Sequence, residues 1–255
     1  MKRLVALAVA GALTLGLAGL ATADESVQTE EATVKPNKIK KKSHQNVTLI
    51  NTITTFDDPA LGQPKSAVRT ILDLPKQMKF NTGGVKTCKT NEAGLEAAPT
   101  TSDAIKACGK KSLVTDAKGS EAQVTVSQGA AAPLILDVEV SGFNEDGKKL
   151  LLYSKPVGSA AGIPASILLG KLKKFNKVNG RPAGATNGKP YKESLDVTIP
   201  PLAAGAISLF KVTIPKSAKY VKAKCKPKKM EFRATTFFSD GTDTFDTTTH
   251  KCKQK

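Results

Sequence analysis

Two carboxylates, Asp137 and Glu139, stand two residues apart in Leu134-Ile135-Leu136-Asp137-Val138-Glu139-Val140. On a strand, residues i and i+2 share a face about 6.6–6.8 Å apart. Glycoside hydrolysis needs a carboxyl pair at roughly 5–9.5 Å. Any strand with one solvated face produces the same pattern, however. A chain with no Trp and three Tyr also offers few flat rings on which a sugar can stack. The pair therefore marks an alternative reading, a glycan-directed hydrolase. Asp240, Asp243 and Asp246 recur in Asp-Gly-Thr-Asp-Thr-Phe-Asp. Oxygen-rich loops bind Ca2+, but the calcium-loop order Asp-x-Asp/Asn-x-Asp/Asn-Gly is not met, and Asp-Gly at a hairpin tip explains the first of these acids. His44 and His250 are the two histidines. A Ser or Cys nucleophile needs a base beside it, whereas His44 lies in a lysine-rich stretch and His250 lies beside Cys252. The reading is no catalytic residue, no metal and no cofactor.

The four cysteines are Cys88, Cys108, Cys225 and Cys252. No two have the tight spacing of a zinc site. An even count in an exported chain points to disulfides. Of the three pairings, the local ones are preferred: Cys88 with Cys108, and Cys225 with Cys252, which flank one hairpin. Loops of this size each contribute about 3 kcal/mol on the chain-entropy account.

Lysine supplies the remaining chemistry. The formal charge is +17, and two runs concentrate it. One holds Lys171, Lys173, Lys174, Lys177 and Arg181. The other holds Lys216, Lys219, Lys222, Lys224, Lys226, Lys228 and Lys229. Lysines without interleaved aromatics suit sequence-blind contact with anionic polymers. They also suit a plain solvated surface that resists edge-to-edge aggregation. Lys171, Lys173, Lys174, Lys177, Lys222, Lys224, Lys228 and Lys229 are the candidate anion-binding residues. No sequence-specific nucleic-acid binding is expected.

These groups must be held by strands. Alternation or β-branched richness marks 47–56, 67–74, 121–127, 134–140, 150–154, 165–175, 193–199, 206–214, 230–238 and 242–249. Asp-Gly turns at Asp146-Gly147 and Asp240-Gly241 close two hairpins. One short helix is expected near Thr101–Ala107. About ten strands with little helical period predict an all-β antiparallel sandwich, immunoglobulin-like or jelly-roll-like, over 45–255. A weak echo between Leu74-Pro75-Lys76 and Ile214-Pro215-Lys216 leaves open two packed β modules, with a boundary near 180–192. Residues 24–44, acidic and then lysine-rich, read as a mobile tail.

Ahead of them, Met1-Lys2-Arg3, an uncharged Leu4–Leu20 and Ala21-Thr22-Ala23 form a secretory signal peptide with cleavage after Ala23. No second long apolar run, no cysteine at the cleavage site and no sorting tail follow. The expected protein is secreted, with no transmembrane segment after cleavage. The function expected is non-catalytic binding or structure in the cell envelope or extracellular space, through lysine-rich faces. A protein–protein adhesion module is a further alternative.

Four segments together carry a resemblance. They are Leu72-Asp73-Leu74-Pro75-Lys76-Gln77-Met78-Lys79-Phe80-Asn81, Cys108-Gly109-Lys110-Lys111-Ser112-Leu113-Val114, Gly170-Lys171-Leu172, and Phe232 to Thr242 leading to Cys252. From Ile71 to Cys252 the chain resembles a group of secreted, lysine-rich, four-cysteine β proteins of actinobacterial type. That resemblance implies an extracytoplasmic β fold with these cysteines paired, and it implies no activity. Intact-mass and peptide mapping of the secreted protein under non-reducing conditions should give an N-terminus at Asp24 and no free thiol. A different start or any free thiol overturns this reading.

Overall fold

The computed structural model describes residues 28–56, 58, 61–116, 119–129, 131–202 and 205–255; the signal peptide and cleavage site expected from the sequence lie outside them. The early strands are β1 (Gln28–Lys35), β2 (Lys38–Ile39), β3 (Gln45–Asn46), β4 (Thr48–Thr55), β5 (Ala67–Pro75) and β6 (Met78–Phe80). Helices α1 (Glu92–Glu96) and α2 (Thr101–Cys108) follow. Then come β7 (Glu121–Gln128), β8 (Ala131–Asn144), β9 (Lys149–Pro156), β10 (Ser166–Lys174) and β11 (Tyr191–Thr198). The last are β12 (Ala206–Ile214), β13 (Val221–Ala223), β14 (Lys229–Phe238), β15 (Asp243–Lys251) and β16 (Lys253–Gln254). The all-β antiparallel expectation holds.

Eleven strands form one antiparallel sheet in the order β1-β4-β12-β7-β8-β9-β10-β11-β5-β14-β15. The sheet curls until its two edges meet, since β1 packs against β15. Ten antiparallel pairings leave these edges running the same way, and no ladder joins them among the described residues. A side chain bridges the seam instead: the Glu30 amide donates to Asp246 Oδ2 at 2.7 Å. Nearby, Gln28 Nε2 donates to the Ala234 carbonyl of β14 at 3.3 Å. The region read as a mobile tail is therefore corrected over Gln28–Lys35. Its alternating buried positions Gln28, Glu30 and Val34 face the interior, and it pairs with β4 along its whole length. Charge composition concealed the alternation. Likewise 180–192 joins two neighbouring strands of this same sheet.

Alternation sorts the walls. Leu49, Ile53, Leu72, Leu150, Leu152, Leu168 and Leu195 point inward around an apolar interior. Gly170 faces in the same way because a Cβ there would come within 2.9 Å of Leu195 Cδ1. Part of the opposite face of β8–β10 is also buried, under α1 and α2. Phe143, Leu151, Tyr153 and Ile167 pack there against Leu95 and Ala104, and Tyr153 donates to the Ala98 carbonyl at 2.9 Å. Thr100 caps α2 by accepting from the Asp103 amide. The Cys88–Cys108 bridge pins this cover, with Cα atoms 4.2 Å apart.

Outside β5, β11 and β14 lies a strap, residues 175–190. Its Arg181 reaches Asp73 with bonds of 2.7 and 2.6 Å, and Arg233 reaches the same carboxylate at 2.9 and 2.7 Å. Ser194 donates to Asp73 Oδ1 at 2.6 Å. Arg181 lies over the Phe175 ring, and Arg233 over Tyr191. Gly184 touches down on Phe245, leaving no room for a Cβ.

Two outcomes are expected. Asp73→Ala leaves two buried guanidiniums without their counter-ion, and should cost about 3–5 kcal/mol in chemical denaturation; a loss below 1 kcal/mol would contradict the network. Burial, against a bond from Asn51, pushes the Glu30 carboxyl from 4.5 up to about 8. The folded state therefore holds that proton, so stability is full below about pH 4.5 and falls as pH rises through about 8. Wild type minus Glu30→Gln should show this decline in thermal scans, while the difference cancels the histidines and other acids. A pH-independent difference would place an ionised Glu30 in the wall.

Candidate anion-binding face

One end of the barrel is capped by the three-stranded sheet β3-β13-β6. The segment Val221-Lys222-Ala223-Lys224-Cys225 explains why. Val221, Ala223 and Cys225 are fully buried against Met78, Tyr220 and Val47, so Lys222 and Lys224 must face outward. Pro215 ends β12, and the chain turns back through Lys219, whose φ of 57° is left-handed. Asn81 fixes that turn by donating from Nδ2 to the Lys219 carbonyl at 2.9 Å. The Cys225–Cys252 bridge then ties the cap to the end of β15, with Cα atoms 5.9 Å apart. Both disulfides are the local pairs expected, and they fit an oxidising compartment. No helix among the described residues is long and apolar enough to cross a membrane.

Register places the cap lysines together. Lys222 on β13 stands opposite Lys79 on β6 and opposite Asn46 on β3. Like charges directly opposite on a sheet are destabilising. Among the described residues, no carboxylate lies within 4.0 Å of Lys79, Lys222 or Lys224. Beside them an open hollow of about 440 Å³ is bordered by Lys40, His44, Lys216, Lys222 and Lys255. His44 reports the field there. Burial lowers its pKa first, and the charges of Lys79, Lys224 and Lys192 lower it further. Sequence reasoning found Lys222 and Lys224 but passed over Lys79, Lys40 and His44. No sequence signal links Lys79 to Lys222; only the strand pairing does.

The other sequence candidates are scattered. Lys173 bonds Asp196 at 2.9 Å, and Arg69 takes the same carboxylate at 2.7 Å. Burial pushes the Asp196 carboxyl up, but these two cations outweigh it and hold it low. Lys171 stands between Lys149 and that same Asp196 in register. Lys174 and Lys177 are exposed, and Arg181 is inside the strap network. Lys228 and Lys229 are exposed at the start of β14, with Lys229 opposite Lys251. The first lysine run is thus partly neutralised, whereas the second crowns the cap.

The carboxylates lie elsewhere. Asp137 accepts from Gln123 at 3.1 Å and Glu139 accepts from Thr101 at 2.6 Å, both on the outer surface. Asp240 pairs with Lys65 at 3.0 Å, Asp243 is exposed and Asp246 faces the seam, so the three acids do not converge. Among the described residues no three His, Cys, Asp or Glu side chains group to hold a metal ion. His250 sits on the inner side of β15, opposite Met230, and its Nε2 has no hydrogen-bond partner among the described residues. No family profile matches this chain, and no curated protein is significantly similar to it.

Proposed function

We propose that this is a secreted, non-catalytic binding or structural protein of the cell envelope or extracellular space, which engages anionic polymers through its lysine cap. The observation that carries this reading is the set of Lys79, Lys222 and Lys224 around His44 on one outward face, without carboxylate partners among the described residues. A polyanion laid across the cap supplies the missing counter-charge to the opposed pair Lys79–Lys222. The signal peptide of the sequence and the resemblance to secreted lysine-rich β proteins support the compartment. The two disulfides agree with it.

Contact of this kind releases counter-ions and weakens steeply with salt. With about four lysines engaged, log affinity for heparin should fall with a slope of about −3 against log salt. The double variant Lys222→Glu/Lys224→Glu should lose most retention, while Lys171→Glu/Lys174→Glu should lose little. The imidazole of His44, followed by NMR, should titrate at higher pH with the polyanion bound, because an anion offsets the lysine field. Retention that is absent, salt-insensitive or unchanged in the cap variant rules the cap out.

A further inference from the structure

The barrel is unlike at its two ends. Opposite the lysine cap, the strand ends surround an open apolar mouth. Behind it lies a vestibule of about 350 Å³, bordered by residues such as Leu136, Val138, Ile163 and Pro200. Deeper in, between the sheet walls, is a chamber of about 80 Å³ lined mainly by aliphatic side chains such as Leu49, Leu72, Leu150 and Leu195, with Asn51 and four threonines among them. The two spaces share Leu168, Ile199, Ile207 and Phe210, so these residues form a neck between them. The interior is wide for a reason of strand number. About eight strands give a barrel whose interior side chains just fill or hold one small ligand, and this sheet has eleven. Apolar cavities of this kind stay dry and accept apolar guests.

We infer that the chamber and vestibule take one unbranched alkyl or acyl chain whose head carries an uncharged oxygen, such as an alcohol or an ester. Three observations choose this occupant. The cap closes the far end, with Val114, Ile214 and Phe80 at its floor, so the guest enters from the mouth alone and must be narrow and long. Among the described residues no charged side chain lines either space, so an ionised head finds no partner there. The vestibule wall does hold Ser154 and Ser166, paired across β9 and β10. The Ser154 Oγ is buried with no hydrogen-bond partner among the described residues, which leaves it as a polar handle in an otherwise apolar vestibule wall, the pattern of a lipid or small-molecule site. The tail then lies toward the cap and the head lies at the serines. The mouth suits delivery of such a guest, because Phe56, Leu61, Val68, Leu134, Ile135 and Ile163 are all exposed around that end of the barrel.

The test uses the full secreted protein and dodecan-1-ol, followed by calorimetry at low and high salt. Saturable one-to-one binding that salt does not weaken is expected, with affinity rising about tenfold for each two carbons from hexanol upward until the chamber is full. 1-Monododecanoylglycerol should also bind if the natural source is an ester, and dodecanoate should bind more weakly than the alcohol once salt screens the lysine surface. Leu168→Phe, which narrows the neck, should lower dodecanol affinity at least tenfold. Phe210→Ala, which widens it, should move the best chain length upward, and this decides the matter if Leu168→Phe fails to fold. Wild-type protein that binds no alcohol of any length overturns the inference, as does binding indifferent to both substitutions. A protein that retains heparin but takes no alcohol refutes this site and leaves the lysine cap standing.

Discussion

The carboxylate of Asp73 is the point on which this structure turns. It is fully buried, and it accepts from two guanidiniums and one hydroxyl at once. Those donors come from β11, β14 and the strap, while Asp73 itself sits on β5. One anion therefore fixes the mutual register of three neighbouring strands and the position of the segment that crosses them. Such a group is stable only when every lone pair is used. The flanking rings of Phe175 and Tyr191, stacked 5.6 Å apart, close the site against water and add cation–π contact. Without that carboxylate, Arg233 of β14 and Arg181 of the strap would face each other as like charges with nothing to hold the strap down.

From that fixed quadrant the rest of the wall follows by strict alternation. The same period of two that buries Leu150 and Leu152 inward places Leu151 and Tyr153 outward, under α1 and α2. In the cap it buries Val221 and Ala223 and exposes Lys222 and Lys224. Charge and apolar surface are thus separated along the barrel axis: lysines at the capped end, aliphatic rim at the open end. A single rule of strand geometry makes both surfaces.

Much of this was legible in the sequence, and the exceptions have physical causes. Strands such as Ala206–Ile214 and the Asp146-Gly147 and Asp240-Gly241 turns were visible because alternation and positive-φ glycine are local signals. The two disulfides followed from spacing for the same reason. Strand β1 was hidden because its inward residues Gln28 and Glu30 are polar, so hydropathy gave no period. Their burial is set by partners elsewhere in the chain, Asn51, Ala234 and Asp246. The lysine cap was half legible. Lys222 and Lys224 belonged to an obvious run, but Lys79 joins them only through β6–β13 pairing. By sequence Arg181 belongs to a basic run, but its partner, Asp73, lies 108 residues away.

The seam between β1 and β15 bears on how the molecule comes into being. Its defining bond, Glu30 amide to Asp246, joins residues separated by 216 positions, so the first and last long strands complete the wall together. A chain emerging from its N-terminus cannot shut this barrel until β15 has appeared, and the Cys225–Cys252 bond waits likewise for Cys252. Local hairpins such as β8–β9 can form early, but they wait on a late, long-range event to enclose the core. Topologies of this kind fold slowly relative to their stability. The price is a long-lived open sheet with two free edges, which is the interval in which assistance or aggregation would decide the yield of folded protein.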